Sequence, residues 1–422
     1  MKPIDLTLLP ASTRLTADGR LEIGDVDLLT AADRFGTPLF VYDEKDLVDQ
    51  FTLAYKIFGD GVAYATKAFL TKTVARLAYS CGMSLDVSSE GEYQCCRRAG
   101  VPAERLVLHG NNKLPAEVQV AVSEGVQWIV ADNFDDLAAI SRYAKDLGLR
   151  PNVLVRVNPG VEVHTHRYVA TGNRDAKFGF PTWTQDAERA VDLAQRDPAI
   201  NFMGVHMHVG SFVLSLETFL SALNAILPFI QRVEPEIFVI GGGLGIRYLN
   251  SDTCPSFEEW GEAVLDWCRN RGLTSRVLVE PGRAMVARAA VTLYTVGAVM
   301  QKGQRTFVSV DGGMSDNPRP ILYGSGYEVF KVSEPLADRP RRVDLVGRHC
   351  ESGDTLIRDG YLQESVAAGD VVCTPVTGAY GYSMASNYNM LPRPPIVFVK
   401  DGQVRLVVRR ESVDDLLRND LE

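Results

Sequence analysis

Between Phe40 and Glu280 the sequence repeats one pattern: a short apolar run, a polar or glycine-bearing turn, then apolar residues at helical spacing. The runs at residues 62–65, 83–87, 106–108, 128–130, 153–157, 203–208, 237–240 and 277–279 predict eight strands. Helical periodicity falls between them, at 73–79, 134–147, 185–195 and 216–233. Eight strand–helix units without an evident edge strand favour closure over an open sheet. The pattern therefore predicts a TIM-like α/β barrel of eight parallel strands over residues 37–282.

Past Arg283 the texture changes. Residues 289–300, 306–310, 342–346, 371–375, 396–400 and 403–408 read as strands separated by turn residues, with little helix. A second, all-β, barrel-like domain is expected over 283–422. Residues 1–36 contain only short pieces, are assigned to the same domain, and are expected to add a strand to it. No internal repeat or low-complexity tract interrupts this division.

Composition narrows the functional classes. The 422 residues are 46% hydrophobic, enough for a core, which excludes a disordered or fibrous chain. The net charge of −9 is spread along the chain, and no Lys/Arg block marks a phosphate-backbone footprint, so nucleic acid is not expected as a partner. Seven cysteines, an odd number that includes the adjacent Cys95 and Cys96, show no paired zinc spacing and read as reduced thiols. The first twenty residues lack the basic-then-apolar pattern of a signal peptide, and no apolar run reaches membrane-spanning length. A cytoplasmic protein without a membrane partner is expected.

Barrel folds place their chemistry at the C-terminal ends of the strands, and the conspicuous polar residues fall there. Lys67 ends the first strand, in Tyr64-Ala-Thr-Lys67-Ala. Residue type alone favours a surface lysine. Placement within an apolar strand, where an ammonium is poorly solvated, points instead to an amine of depressed pKa suited to Schiff-base chemistry. Gly241-Gly242-Gly243-Leu244-Gly245 follows a strand and reads either as a tight turn or as a loop whose N–H groups face an anion. Glu280-Pro-Gly-Arg283 closes the last strand. It is a surface ion pair, or a carboxylate able to keep a heterocyclic nitrogen protonated. His206 and His208 share one strand face and His164 and His166 repeat the spacing, so a metal is conceivable; no acidic ligand is fixed by spacing, and no metal is expected.

In the β domain, Cys350-Glu351-Ser352-Gly353-Asp354 lies among turn residues rather than in a core pattern. Arg319 and Tyr323 stand in a loop suited to clamping a carboxylate. The stretch around Tyr380 combines glycines with several hydroxyls and also reads as a plain β turn and edge strand.

Taken together these stretches resemble the fold-type III pyridoxal-phosphate-dependent decarboxylases, from about Thr37 to Leu417. The carriers are Tyr64-Ala-Thr-Lys67-Ala, His109-Gly-Asn-Asn-Lys113, Asn158-Pro-Gly-Val with His164-Thr-His166 and Lys177-Phe-Gly, His208-Val-Gly-Ser211, Gly241 to Gly245, Glu280-Pro-Gly-Arg283, Cys350 to Asp354 and Gly378-Ala-Tyr380. Each motif is modest, and their order is specific. The chain departs from the family's commoner pattern at Phe212, at Ser89-Glu90-Gly91 and at Arg167.

The resemblance implies pyridoxal 5′-phosphate anchored on Lys67, with Asp86 among its contacts, His208 against the ring and Glu280 at the pyridine nitrogen. It places Ser211, Gly241, Gly242, Gly243, Arg283 and Tyr380 at the phosphate. Substrate contacts fall to Arg283, Arg319, Tyr323, Glu351 and Tyr380, and Cys350 returns the proton. It implies decarboxylation of meso-diaminopimelate to L-lysine, the last step of lysine biosynthesis, with another diamino acid such as lysine or ornithine as the alternative substrate. It also implies a homodimer whose Cys350-Glu351 segment enters the neighbouring subunit's site.

Overall fold

The computed structural model describes residues 2–161 and 174–422; His164, His166 and Arg167 lie outside the described residues. The chain forms two compact units, one made of Phe51–Ile246 and Cys254–Ala284, the other of Met1–Gln50, Arg247–Thr253 and Met285–Glu422.

The first unit is an α/β barrel. Its parallel strands Ala63–Ala65, Ser84–Val87, Leu106–Leu108, Trp128–Ala131, Asn152–Asn158, Asn201–Met207, Ile237–Val239 and Arg276–Leu278 lie side by side in chain order. A parallel bridge between Val62 and Val279 joins the two ends, with Ala63 N–H donating to Val279 O (3.0 Å) and Val279 N–H to Gly61 O (2.9 Å). Closure removes both sheet edges, and the strands are buried on both faces. They consequently read as continuous apolar runs rather than alternating ones. Val107, Trp128, Val130, Leu154, Ile237, Val239 and Leu278 form one buried cluster within the barrel.

Local sequence sets the helix starts. Asn133 accepts from Asp136 N–H and opens Phe134–Leu147, while Ser215 opens Leu216–Val233. Ser256 and Glu259 form a capping box at Phe257–Asn270. Ser89 caps Glu90–Arg98, with Glu90 in the first turn, where a carboxylate suits the helix dipole; this gives the Ser89-Glu90 departure a local role.

The second unit is built around one long strand, Ala290–Lys302. It pairs antiparallel with Arg305–Val310, Val371–Pro375 and Leu39–Asp43, and slips register between Val296 and Ala298. Leu39–Asp43 pairs in turn with Ile396–Lys400, which carries Gln403–Val408. On the other side, Arg305–Val310 pairs with Arg341–Val346 and then with Thr355–Leu362.

One expectation is corrected here. Leu39–Asp43 belongs to this sheet rather than to the barrel expected from residue 37, because all of its backbone partners lie in the second unit. The residues before it fall in the second unit as expected, and their strands Arg14–Leu15, Leu21–Ile23 and Val26–Asp27 form a small sheet of their own.

Candidate active site

Lys67 lies in a single 3-10 turn, Thr66–Ala68, just past the first barrel strand. Thr66 Oγ1 donates to Asp86 O (2.6 Å) and fixes this turn to the next strand. Thr66 and Ala68 are buried, but Lys67 is exposed. The desolvation expected from an in-strand position is therefore absent, because the chain has turned before Lys67 is reached. Asp86 is buried; loss of solvation, then repulsion by Glu280, pushes its carboxyl well above the usual range, with Lys67 pulling the other way.

Glu280 follows the last strand. Its Oε2 lies 2.9 Å from His206 Nε2, and its Oε1 lies 3.2 Å from His109 Nε2, within ion-pair reach but out of line for a full hydrogen bond. The two imidazoles meet edge to face, with centroids 5.1 Å apart. Burial alone would neutralise Glu280, yet the histidines outweigh it and hold the carboxyl well below its ordinary value. Burial pushes His206 down to about 4, so at neutral pH it donates as an uncharged ring. The expected alternative of a surface ion pair for Glu280 is excluded, since its partners are buried His206 and half-buried His109 rather than a surface cation.

His208 stands one residue past its strand, with Nδ1 accepting from Gly242 N–H (3.3 Å). Its proton therefore sits on Nε2. Burial first, then Lys67 and Arg156, lowers its pKa well below the ordinary histidine value. A Cβ on Gly241 would lie 2.7 Å from His208 Nδ1, and one on Gly243, at φ 112°, 2.3 Å from Gly210 O. Only glycine allows this loop to press against the histidine. Val213 N–H donates to Gly243 O (2.9 Å) and Gly245 N–H to Val213 O (2.8 Å), which joins the Ser211 loop to the glycine loop. Arg283, buried at the start of the short helix Arg283–Val286, lies over the Phe212 ring. One barrel end thus gathers an amine, a neutral imidazole, a charged carboxylate, and a guanidinium beside a hydroxyl loop.

His109, His206 and Glu280 offer ligand atoms within 4.8 Å of one another, enough to share a cation. Lys67 and Arg156, whose charges already bear on the same buried cluster, oppose another positive charge there. The paired spacing of His206 and His208 does not make a ligand pair, since one faces Glu280 and the other Gly242.

Within the second unit, Arg319 and Tyr323 begin and end a helical turn, Arg319–Tyr323, rather than lying in a loop. Arg319 is buried; its guanidinium lies 4.4 Å from the Tyr248 ring centroid and 5.4 Å from that of Tyr327, and it donates to Tyr327 Oη and Ser325 Oγ. Its Nε has no partner among the described residues. Half-buried Tyr380 holds a left-handed backbone (φ 59°), not an edge strand, and faces Arg319 electrostatically.

Cys350 and Glu351 are exposed in a turn that Asp354 organises, accepting from Met314 N–H, His349 N–H and His349 Nδ1 at 2.7–2.8 Å. Cys350 N–H donates to Asn389 Oδ1 (3.0 Å), and Ser386 N–H to Ser315 O (2.8 Å), so the three loops carrying the expected substrate residues are bonded together. Sequence reasoning gave no role to His109, Tyr248 or Tyr327. His109 had a signal, its place after a strand; the tyrosines had none, because their partner Arg319 is chosen by the fold.

Comparison with known proteins agrees with this chemistry. Residues 44–287 match the family described as pyridoxal-dependent decarboxylase, pyridoxal binding domain. A diaminopimelate decarboxylase of Bacillus subtilis is 40% identical, with 98% of each chain covered, and one of Actinosynnema pretiosum is 42% identical, with 99% of this chain and 96% of the relative covered. The crystal structure of diaminopimelate decarboxylase from M. jannaschii in co-complex with L-lysine superimposes with a TM-score of 0.89 at 30% identity, covering 98% of each chain.

Proposed function

This chain belongs to the pyridoxal-dependent decarboxylases, and from that premise we infer that it removes carbon dioxide from meso-diaminopimelate to leave L-lysine, the last step of lysine biosynthesis. The observation that carries the reading is the barrel end itself, where Lys67, His208 and an ionised, half-buried Glu280 stand beyond separate strands.

The residues fit pyridoxal 5′-phosphate. The cofactor needs an amine for its aldehyde, an anion at its pyridine nitrogen and donors for its phosphate. Lys67 meets the first requirement and Glu280 the second. Ser211, the Gly241–Gly243 loop and buried Arg283 meet the third, with His208 against the ring, and Asp86 and Tyr380 belong to the same proposed contact set. When bound, the cofactor supplies the electron sink for the pair left behind by the departing carboxylate.

The chain's own residues do the rest. Glu280 keeps its charge with little solvent because the imidazoles of His206 and His109 stand against its two oxygens. Arg319, with Tyr323 and Arg283, takes the distal carboxylate, and Glu351 the distal ammonium. As the bond from the α-carbon to the carboxylate breaks, Cys350 Sγ returns one proton to that carbon, so carbon dioxide leaves and an amino acid with one carboxylate remains. Exposed Cys350 and Glu351 support a homodimer in which this segment completes the partner's site. A cytoplasmic setting belongs to the same reading and is supported by seven free thiols. Among the described residues no helix is long and apolar enough to cross a membrane.

The test is reconstitution with pyridoxal phosphate followed by measurement of carbon dioxide and L-lysine from meso-diaminopimelate. Wild type should show both products and a borohydride-reducible adduct on Lys67, and Lys67→Ala neither. Activity that survives Lys67→Ala rules the assignment out.

A further inference from the structure

The Glu280 side chain is 10% exposed, its loss of solvent opposes its charge, and among the described residues the groups against its oxygens are two histidines drawn from other strands. His206 is 1% exposed and aims Nε2 at Oε2 from 2.9 Å. His109, just past Leu106–Leu108, brings Nε2 to 3.2 Å from Oε1 and 3.8 Å from Asp86 Oδ1. Nδ1 of His206 is buried with no partner among the described residues. An unpartnered acceptor costs less than an unpartnered donor beside a carboxylate that wants a proton donor, so the ring carries its hydrogen on Nε2.

We propose that His206 and His109 are positioning residues for Glu280: His206 by donating Nε2–H to one oxygen, His109 by flanking the other, they keep the carboxylate charged and in one orientation for the cofactor's pyridine nitrogen. The proposal rests on the decarboxylase reading and goes beyond it, since neither histidine touches a reacting atom. A neutral donor at His206 suits the task. A protonated histidine would cancel the charge that the pyridine nitrogen needs, whereas an uncharged N–H stabilises the anion and leaves its net charge in place.

The test uses full-length protein in two arms. In the cofactor-free protein, nitrogen NMR of labelled histidine should show His206, identified by signal loss in His206→Gln, with Nε2 protonated, Nδ1 bare and no second proton taken up down to pH 5. In cofactor titrations, His206→Leu should weaken pyridoxal phosphate binding about tenfold, the loss expected for one hydrogen bond to a charged group, and His109→Leu about threefold. His206→Gln keeps an N–H of similar reach and should stay within about threefold of wild type. A purely structural role for His206 would not be rescued by glutamine. A ring protonated on Nδ1, a ring that charges near pH 6.5, or equal cofactor affinity in His206→Leu and wild type overturns the inference while leaving the reading intact. Failure of wild type itself to take up pyridoxal phosphate overturns the reading and the inference together.

Discussion

The guanidinium carbon of Arg283 lies 5.4 Å from the centroid of the Phe212 ring, and Phe212 presents that ring from a left-handed backbone conformation, φ 65°. An aromatic residue at positive φ is disfavoured, and the bonds of Val213 to Gly243 and Gly245 hold the chain beside it. The Phe212 departure thus puts a ring beside the arginine proposed for the cofactor's phosphate. A cation–π contact of about 0.5–2 kcal/mol makes Phe212→Ala bind pyridoxal phosphate about 2- to 30-fold more weakly, with kcat at saturating cofactor changed less; Phe212→Tyr should bind like wild type. Absorbance titration of cofactor-free protein reads both.

Arg319 makes a second arginine–aromatic arrangement, between Tyr248 and Tyr327. Its unpartnered Nε suits a ligand carboxylate, which lysine and ornithine lack at the distal end. Arg319→Met should lower kcat/KM for meso-diaminopimelate at least 100-fold, because a buried carboxylate left without a partner costs several kcal/mol. Its Tm should not fall, since the variant also removes a buried charge. L-lysine or L-ornithine decarboxylated by wild type as fast as meso-diaminopimelate would contradict this.

Stability should carry a pH signature from Asp316. Burial raises its carboxyl to about 7, against donors from Tyr294 Oη (2.7 Å) and Gly313 N–H (2.8 Å). The folded state therefore binds the proton more tightly than the unfolded chain, whose aspartate titrates near 3.8. That contribution is complete below pH 3.8 and disappears as pH rises through 7. Asp316→Asn mimics the protonated form, so the Tm difference, variant minus wild type, should be larger at pH 8 than at pH 5. A difference independent of pH in thermal melts would show that Asp316 is charged in the folded protein throughout.

The proposed shared site makes a mixing experiment decisive. Lys67→Ala and Cys350→Ala proteins, each inactive alone, should regain about one quarter of wild-type activity when mixed equally under subunit exchange. Half the dimers are then mixed, and each mixed dimer has one intact site of two. No recovery after exchange shown by mass spectrometry places both residues in one subunit's site.

The sequence by itself determined the barrel and where along the chain the polar residues of the proposed site leave its strands. Doubly buried strands leave continuous apolar runs, and a run's end marks where Lys67, His208, the glycine loop and Glu280 must emerge. Those are local properties, written in neighbouring residues. What only the tertiary structure decided was partnership. Leu39–Asp43 falls inside the barrel range read from residue 37, yet its hydrogen-bonding partners are Ala290–Lys302 and Ile396–Lys400, which no local period encodes. Lys67 reads as desolvated and is exposed, because one turn of 3-10 helix separates it from its strand. His206 spaced two from His208 leaves a metal pair conceivable from sequence, but barrel closure brings its Nε2 to 2.9 Å from Glu280. Periodicity fixes which face a side chain takes; which group it meets there depends on strand order and register, properties of the closed sheet as a whole.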